Sequence, residues 1–434
     1  MYKWFIALTA LIIGAGSYVV FHSGQIGSLN LASKKKDSRQ QELGEAKNKV
    51  KEVDDEPQVM MNDPAINQAW GLKKIDAAKA WDVTQGSKKI VVAVIDTGAD
   101  VNHEDLKNNF WQNPGETGLD AKGRNKANNG VDDDNNGFVD DITGWNFVSN
   151  NNDLTDNHGH GTHISGIIGA EASNNKGIAG ISPKVSLMVL KYYDPKVPNT
   201  DNLKNTINSI KYAVKMHANI INYSGGGTEF SADEQAAIME AKAQGILFVA
   251  AAGNERSNSD QHKYFPADYG LNNIISVTAV DPGTEVLPSS NYGVETVDIA
   301  APGQNILSTL PNNSYGYMTG TSQATAFVTG AAVLVMAHKE NIDPYEVKKY
   351  ILATGDGQST LMNKTRTARR LNLFKALTIL DDNISVSGAI VANATRKQFT
   401  VDPEAQADNG RQVATFGKNL LLRMESKTAT NNKN

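Results

Sequence analysis

Five continuous apolar runs, separated by longer amphipathic stretches, constrain the fold of this chain more than any other feature. The first run, Lys89–Ile95, contains no alternation of polar and apolar residues. Continuous runs of this kind are typical of central parallel strands that are buried on both faces. We predict four further strands of the same type at Val185–Leu190, Ile220–Tyr223, Ile246–Ala250 and Ile274–Val280.

Helical patterns lie between these strands, and they define the fold class. Asn202–His217 and Asp233–Gln244 each separate two apolar runs. Strands that alternate with helices predict an α/β fold with a mainly parallel central sheet and helices on both faces. Ligands of such sheets bind beyond the carboxyl ends of the strands. Asp96 ends the first strand, while Ser224 and Asn254 follow two others, so we expect one common site there.

Two further helices and one strand are predicted towards the C-terminus. Gly320–Ala337 is rich in small residues and valines, which favours a helix buried all round. Asp343–Ala353 carries Asp343 as a predicted N-cap before a proline. We also predict a short strand at Ile384–Val391.

Composition excludes several classes of function. The 434-residue chain is long enough for a large core, and its formal net charge of −5 gives no indication of a nucleic-acid partner. It has no cysteine, so disulfides, thiolate metal sites and cysteine nucleophiles are excluded. We expect a monomer whose rigidity comes from core packing and bound ions.

The N-terminal residues predict export. A short positive region precedes an apolar stretch at residues 4–21, and Ala15-Gly-Ser17 supplies small residues suited to signal cleavage. The apolar stretch also reaches the lower limit for a membrane span. Residues 1–23 are therefore a cleaved signal peptide of a secreted or periplasmic protein, or an uncleaved membrane anchor. Residues 24–62 are polar and predict a pro-segment or linker.

Three short motifs carry an acid, a histidine and a serine in that order. They are Val94-Ile-Asp-Thr-Gly98, His160-Gly-Thr-His163 and Gly320-Thr-Ser-Gln-Ala324. A serine hydroxyl becomes a nucleophile when a histidine removes its proton, and a carboxylate holds that histidine in the required tautomer. Asp96, His160 and Ser322 are therefore the candidate catalytic residues.

These motifs resemble those of the subtilisin-family serine proteases, the subtilases, of the thermitase-like kind. The resemblance implies a subtilisin-like peptidase domain at 63–380 and leaves 381–434 as a C-terminal extension of unknown function. It also implies that Asn254, in Ala250-Ala-Ala-Gly-Asn-Glu255, donates a hydrogen bond to the oxyanion. The segment Ser224, Gly225 and Gly226 resembles the strand that pairs with the substrate main chain.

The chain departs from the family pattern at two places near the site. Gln323-Ala-Thr-Ala-Phe327 follows the serine where the family usually has Met-Ala-Ser-Pro-His. This change affects the start of the helix and the space for the leaving group, but it removes no catalytic group. Gly225 replaces a usual leucine, so we expect a wider or looser subsite wall.

Three histidines within six residues require a metal site to be considered. The spacing of His158, His160 and His163 lacks the H-E-x-x-H pattern of a zinc helix. By resemblance His160 is the general base and His163 is a structural residue that faces the helix interior. We expect His158 to be an ordinary surface residue.

An acidic stretch predicts a calcium loop. Residues 131–141 contain D-x-D-x-N-G, the first half of such a loop. The predicted ligands are Asp132, Asp134, Asn136 and Asp140, with the Phe138 carbonyl oxygen. The usual glutamate at position twelve is replaced by Thr143, so a solvated acidic turn is the alternative.

A second calcium site is implied by the resemblance alone. Its ligands would come from Asp63, Asp105 and the loop Asn174–Ile178, which includes Asn175. The loop looks one residue shorter than that of thermitase. Structural Ca²⁺ at this site would tie the N-terminal arm to the core.

Together these features predict an exported serine endopeptidase that cleaves protein or peptide substrates through an acyl-enzyme. Two rival functions follow from the same residues. An inactive subtilase-fold scaffold that binds proteins would be explained by the changes after Ser322. A metal-dependent hydrolase would use the three histidines.

Overall fold

The structure, a computed structural model, describes residues 61–379. The predicted signal or anchor, residues 24–60 of the predicted linker, and the C-terminal extension with its strand at Ile384–Val391 lie outside the described residues. The boundaries of these segments therefore stay predictions. None of the helices in residues 61–379 has the length and hydropathy needed to cross a membrane.

The described residues contain eleven strands, and all five predicted strands are among them. The three predicted runs at Val185–Leu190, Ile246–Ala250 and Lys89–Ile95 differ from the observed strands by one to three residues at their ends. The strands are β1 Gly86–Asp96, β2 Gly144–Asn146, β3 Lys184–Lys191, β4 Ile220–Tyr223, β5 Leu247–Ala251, β6 Ile274–Val280, β7 Ile299–Pro302, β8 Ile306–Leu310, β9 Ser314–Met318, β10 Asp356–Gly357 and β11 Arg369–Arg370.

Eight α-helices accompany these strands in the described part of the chain, including the four predicted ones. They are α1 Trp70–Lys74, α2 Ala77–Val83, α3 His160–Gly169, α4 Asn202–Lys215, α5 Ala232–Ala243, α6 Thr321–His338, α7 Pro344–Thr354 and α8 Leu373–Thr378. The predicted N-cap of α7 is confirmed, because the Asp343 side chain accepts a hydrogen bond from the Tyr345 amide.

Nine of the strands form one sheet in the order β10-β11-β7-β6-β5-β4-β1-β3-β2. All neighbours in this sheet are parallel except β10 and β11, and β8 and β9 form a separate antiparallel hairpin. The predicted mainly parallel sheet is thus confirmed. Strand β1 pairs with β3 on one side and with β4 on the other, so the order of the strands reverses at β1. A crevice forms at the carboxyl ends of the strands at such a reversal.

Successive residues of β1 pack into two separate cores, one on each face of the sheet. Val92 and Val94 belong to the core that contains α3 and α6. Ala93 and Ile95 belong to the core that contains α4 and α5. Because strand side chains alternate between faces, this arrangement requires helices on both sides, as the continuous apolar run predicted.

Helix α6 runs through the first core. Every residue from Thr321 to Met336 is buried, which confirms the predicted all-round burial. The helix packs against β1, β4, β5, β6 and β7 as well as α3. Its first residues lie at the carboxyl ends of these strands, so the fold places Ser322 in the crevice.

Candidate active site

Asp96 is the last residue of β1 and is buried, with 3% of its side chain exposed. Its Oδ1 atom accepts hydrogen bonds from the Thr97 amide at 2.8 Å and from Nδ1 of His160 at 2.7 Å. A buried carboxylate needs such donors to remain ionised. The acid and the histidine of the two motifs are therefore brought into direct contact.

His160 is the first residue of α3, and two side chains hold this end of the helix in place. Gly159, which precedes it, has φ of 92°, a conformation that favours glycine. The hydroxyl of Thr97 accepts from the Gly161 amide at 2.9 Å. Asp156 accepts from the Thr162 amide at 2.8 Å and from the Thr97 hydroxyl at 2.8 Å. The orientation of the imidazole thus depends on a buried network.

Asp156 was not singled out from the sequence. Its carboxylate also accepts from the His158 and Gly159 amides, at 3.0 and 2.7 Å, so it serves as the cap of α3. No signal in the sequence indicates this role, because Asp156 lies four residues before α3 rather than at its N-cap position, which is Gly159.

The pKa of His160 is raised above its usual value. Burial alone would lower this pKa, but the charge of Asp96 and the hydrogen bond with it favour the imidazolium, with a smaller contribution from Asp156. Because Nδ1 donates to Asp96, Nε2 is the basic nitrogen. The arrangement suits a group that accepts a proton and is stabilised once it carries the charge.

Ser322 is the second residue of α6 and is 7% exposed. Its hydroxyl donates to the Ser224 carbonyl oxygen at 3.1 Å rather than to His160. Within the described residues, the Ser322 amide has no hydrogen-bond acceptor, as expected in the first turn of a helix. This free N–H and the helix dipole would both favour a negative oxygen near the serine.

Asn254 follows β5 and lies beside the start of α6. Its Oδ1 atom accepts from the Thr321 amide at 3.1 Å and from the Thr321 hydroxyl at 3.2 Å. Since the oxygen of the side chain is occupied in this way, its NH₂ group faces away from Thr321 and remains free to donate. The Asn254 NH₂ and the Ser322 amide are two donors next to one hydroxyl, as an oxyanion site requires.

The predicted substrate segment follows β4 and borders the same crevice. Within the described part of the chain, the backbone N–H and C=O groups of Gly225 and Gly226 have no hydrogen-bond partner. Both glycines lie at least partly exposed, so an extended peptide could pair with them. Ser224 is tied to the serine by the hydrogen bond described above.

The expectation of a wider subsite wall at Gly225 is wrong. A β-carbon at this position would lie 2.6 Å from the Tyr192 hydroxyl and 2.9 Å from the Tyr223 ring. These tyrosines therefore fill the space that a leucine side chain would otherwise occupy. Tyr223 ends β4, two residues before Gly225, whereas Tyr192 follows β3 and cannot be recognised from the local sequence around Gly225.

The three histidines do not converge on one point. His163 is fully buried, and its Nε2 lies 3.0 Å from the Ile306 carbonyl oxygen. Burial lowers the pKa of His163 to about 3, so this residue is neutral and structural. His158 is exposed, as expected, with its ring 6.1 Å from that of His160. This geometry does not support the metal-hydrolase alternative.

A buried acidic cluster lies in a different part of the described chain. The carboxylates of Glu116, Asp134 and Asp141 have oxygens within 4.8 Å of one another, and this cluster could hold a metal ion. It is the one such group of acidic or histidine side chains among residues 61–379. One oxygen of Glu116, Oε2, is buried without a hydrogen-bond partner.

The electrostatics of this cluster are unfavourable for the protein alone. Burial, together with the charges of Asp141 and Asp134, raises the pKa of Glu116. Burial also raises the pKa of Asp141. Three carboxylates, one of which has an oxygen without a hydrogen-bond partner, form the all-oxygen donor set that a hard cation prefers.

Of the four side chains predicted in this calcium loop, the structure places Asp134 alone in the cluster. Asp132 instead accepts from the amides of Asn136 and Gly137, at 3.0 and 2.7 Å. Asp140 accepts from the Gly130 amide. The Asn136 side chain bridges Asp134 and Asp141 through its NH₂ group. Glu116 and Asp141 had not been predicted, and Glu116 lies 16 residues before the motif.

The N-terminal arm and the loop 173–178 meet as the second calcium site requires. Asp63 accepts from the amides of Ser173 and Asn174, at 2.9 and 3.2 Å. Asp105 accepts from the Asn174 side chain at 2.7 Å and from the Ile178 amide at 3.0 Å. Asn175 is exposed, so it contributes only a backbone hydrogen bond to this junction. An ion at this position stays a prediction.

Comparison with known proteins agrees with the geometry of the crevice. A family model described as "Subtilase family" matches residues 87–374. This range includes every residue of the candidate active site, namely Asp96, His160, Ser224, Gly225, Gly226, Asn254 and Ser322.

Individual relatives extend this similarity. The major intracellular serine protease of Bacillus subtilis is 37% identical over 270 residues, which cover 62% of this chain and 75% of the relative. Thermitase of Thermoactinomyces vulgaris is 32% identical over 320 residues, covering 73% and 98%. Subtilisin-like protease 2 of Plasmodium falciparum is 31% identical over 329 residues, covering 74% of this chain but 22% of the relative.

The raised pKa of His160 gives a prediction that requires no substrate. Replacement Asp96→Asn should lower the pKa of His160, because it removes the charge that stabilises the imidazolium. The measurement is a pH titration of the imidazole resonances by NMR. Asp156→Asn should lower this pKa by less, since Asp156 does not bond to the ring. An unchanged His160 pKa in Asp96→Asn would contradict the account.

Proposed function

Because this chain belongs to the subtilase family and is a serine endopeptidase of that type, we propose that it cleaves protein substrates through an acyl-enzyme formed on Ser322. The observation that carries this proposal is the 2.7 Å hydrogen bond between His160 and Asp96 at the edge of the crevice that contains Ser322. Asp96 stabilises the protonated form of His160, so His160 can act as the base for the Ser322 hydroxyl group.

In the proposed reaction His160 Nε2 takes the Ser322 proton as the serine oxygen attacks the scissile carbonyl carbon. The serine side chain first turns from the Ser224 carbonyl towards His160. His160 then gives its proton to the leaving amine as the C–N bond breaks, which leaves an ester on Ser322. A water molecule repeats these steps and releases the acid product.

The oxyanion formed in both steps is bound by the Asn254 NH₂ group and the Ser322 amide. Both donors are fixed before the reaction, since Asn254 is held by Thr321 and the amide belongs to α6. Fixed donors stabilise the transition state without reorganisation. The changed residues after Ser322, Gln323–Phe327, are buried within α6 and include none of the proposed catalytic groups.

Recognition of the substrate would rest mostly on its main chain. The unpaired backbone groups of Gly225 and Gly226 favour addition of a peptide as an extra strand. Main-chain pairing selects for extended and accessible segments rather than for a particular sequence. We therefore propose broad cleavage of unfolded or flexible protein segments.

We predict that Ser322→Ala lowers turnover of denatured casein by about 10⁶-fold and Asn254→Leu by about 10²–10³-fold, magnitudes taken from subtilisin itself. The first change removes the nucleophile, and the second removes one oxyanion donor. Ser149→Ala, at an exposed serine with no role in the proposed reaction, is the matched control and should cleave as the wild type does. Full activity of Ser322→Ala would refute the proposed function.

We also propose that Ca²⁺ binds the cluster of Glu116, Asp134 and Asp141. The proposal is supported by the orphan oxygen of Glu116 and by the purely oxygen donor set. Bound Ca²⁺ would offset the repulsion among the carboxylates and stabilise the loop that carries them. It would have no role in bond cleavage.

We predict that Ca²⁺ raises the melting temperature by about 5–10 °C relative to a chelator, as saturating binding to the folded state requires. The protein should carry Ser322→Ala to prevent self-digestion. Glu116→Gln should lose this response, while Asp120→Asn, a carboxylate paired with Arg124 outside the cluster, should keep it. Equal melting temperatures with and without Ca²⁺, or a full response in Glu116→Gln, would exclude this site.

Export through residues 4–21 is a further proposal, supported by the apolar stretch and the small residues Ala15-Gly-Ser17 within it. The Bacillus subtilis relative is named as an intracellular protease, so localisation needs a direct test. We predict that the protein outside the cytoplasm carries a new N-terminus between residues 17 and 24. N-terminal sequencing of fractionated native protein would show this, and full-length protein in the cytoplasm alone would contradict it.

A further inference from the structure

The ring of Tyr264 lies between two glycines that border the crevice. A β-carbon at Gly226 would be 2.5 Å from Tyr264 Cε1 and 3.0 Å from its Cζ. A β-carbon at Gly253 would be 3.0 Å from Tyr264 Cδ2. One aromatic ring thus reaches from the predicted substrate segment to the turn that carries Asn254.

Backbone hydrogen bonds hold this tyrosine in place. The Gly227 amide donates to the Phe265 carbonyl at 2.9 Å, and the Phe265 amide donates to the Gly227 carbonyl at 2.7 Å. The Tyr264 amide donates to Asp268 at 2.8 Å. These hydrogen bonds therefore hold the main chain of Tyr264 beside Gly226.

The opposite side of the ring is also packed. The Glu255 carboxylate lies against Gly253 and accepts a hydrogen bond from the Asn291 side chain at 2.7 Å. Asn291 in turn accepts from the Glu255 amide at 3.0 Å. This network fixes the turn that lies against this side of the ring.

The catalytic geometry determines which part of a substrate meets this ring. The attacked carbonyl must lie between Ser322 and the Asn254 NH₂ group, and the preceding peptide runs along Gly225 and Gly226. The residue that contributes the carbonyl thus lies where the substrate segment and the Asn254 turn face each other. Both walls present glycines there, and a side chain entering between them meets Tyr264.

We propose that Tyr264 fills the space for this side chain and restricts cleavage to bonds that follow a small residue such as alanine or glycine. This inference rests on the proposed function and identifies a specificity-determining residue for the same site. A large side chain would have to displace the Tyr264 ring, which lies against Gly226 and Gly253 and whose main chain is held by hydrogen bonds. Such overpacking is costly, whereas a methyl group fits without displacement.

The test compares two p-nitroanilide peptides, succinyl-Ala-Ala-Pro-Ala and succinyl-Ala-Ala-Pro-Phe, with the full-length enzyme. The wild type should have a kcat/KM for the alanine peptide about 10–100-fold above that for the phenylalanine peptide. Tyr264→Gly should reverse this ratio, because it opens the space between Gly226 and Gly253. Tyr264→Phe is the matched control, since it keeps the ring and should keep the wild-type ratio.

Two results would overturn the inference. One is a wild type that cleaves the phenylalanine peptide as well as or better than the alanine peptide. The other is a ratio unchanged in Tyr264→Gly, or in Tyr264→Ala if the glycine variant does not fold. An assay with denatured casein distinguishes failure of the Tyr264 inference from failure of the proposed function. Cleavage of casein with either result rejects the role of Tyr264 alone, whereas no cleavage of casein or peptides rejects the proposed function.

Discussion

The burial of helix α6 inside the core is the constraint on which the whole site depends. The helix packs against five strands of the sheet, and every residue from Thr321 to Met336 is buried. Ser322 cannot shift without opening that core, because close-packed interiors resist movement. Helix α3 packs on α6 and carries His160, while β1 carries Asp96. Three groups distant in sequence are thereby fixed in one crevice without any disulfide.

Those parts of the molecule that follow from local pattern could be predicted from the sequence. Continuous apolar runs identified five of the eleven described strands, β1 and β3–β6, since a strand buried on both faces has no polar side. The acid, histidine and serine motifs identified Asp96, His160 and Ser322, because each carries its own turn or helix start. The contact between His160 and Asp96 follows from the topology, since both lie at the carboxyl end of β1.

Other parts depend on contacts between distant segments, which no local pattern contains. Glu116 joins Asp134 and Asp141 through the folding of a long loop, and the D-x-D-x-N-G motif does not reveal a carboxylate 16 residues before it. Gly225 suggested an open wall, yet Tyr192, which follows β3, fills that space together with the neighbouring Tyr223. The ring of Tyr264 reaches Gly226 only because Phe265 pairs with Gly227. Local sequence thus indicates the reaction, whereas tertiary packing sets its selectivity.

The most direct test of the central claim is covalent capture of the nucleophile. Wild-type protein and a His160→Ala variant would be treated with a serine-directed fluorophosphonate, and the modified residue would be found by peptide mapping. The account predicts one adduct, on Ser322, which forms rapidly in the wild type and is almost lost in the variant, because His160 activates this hydroxyl. An adduct on another serine, or equal labelling of Ser322 in both proteins, would contradict it.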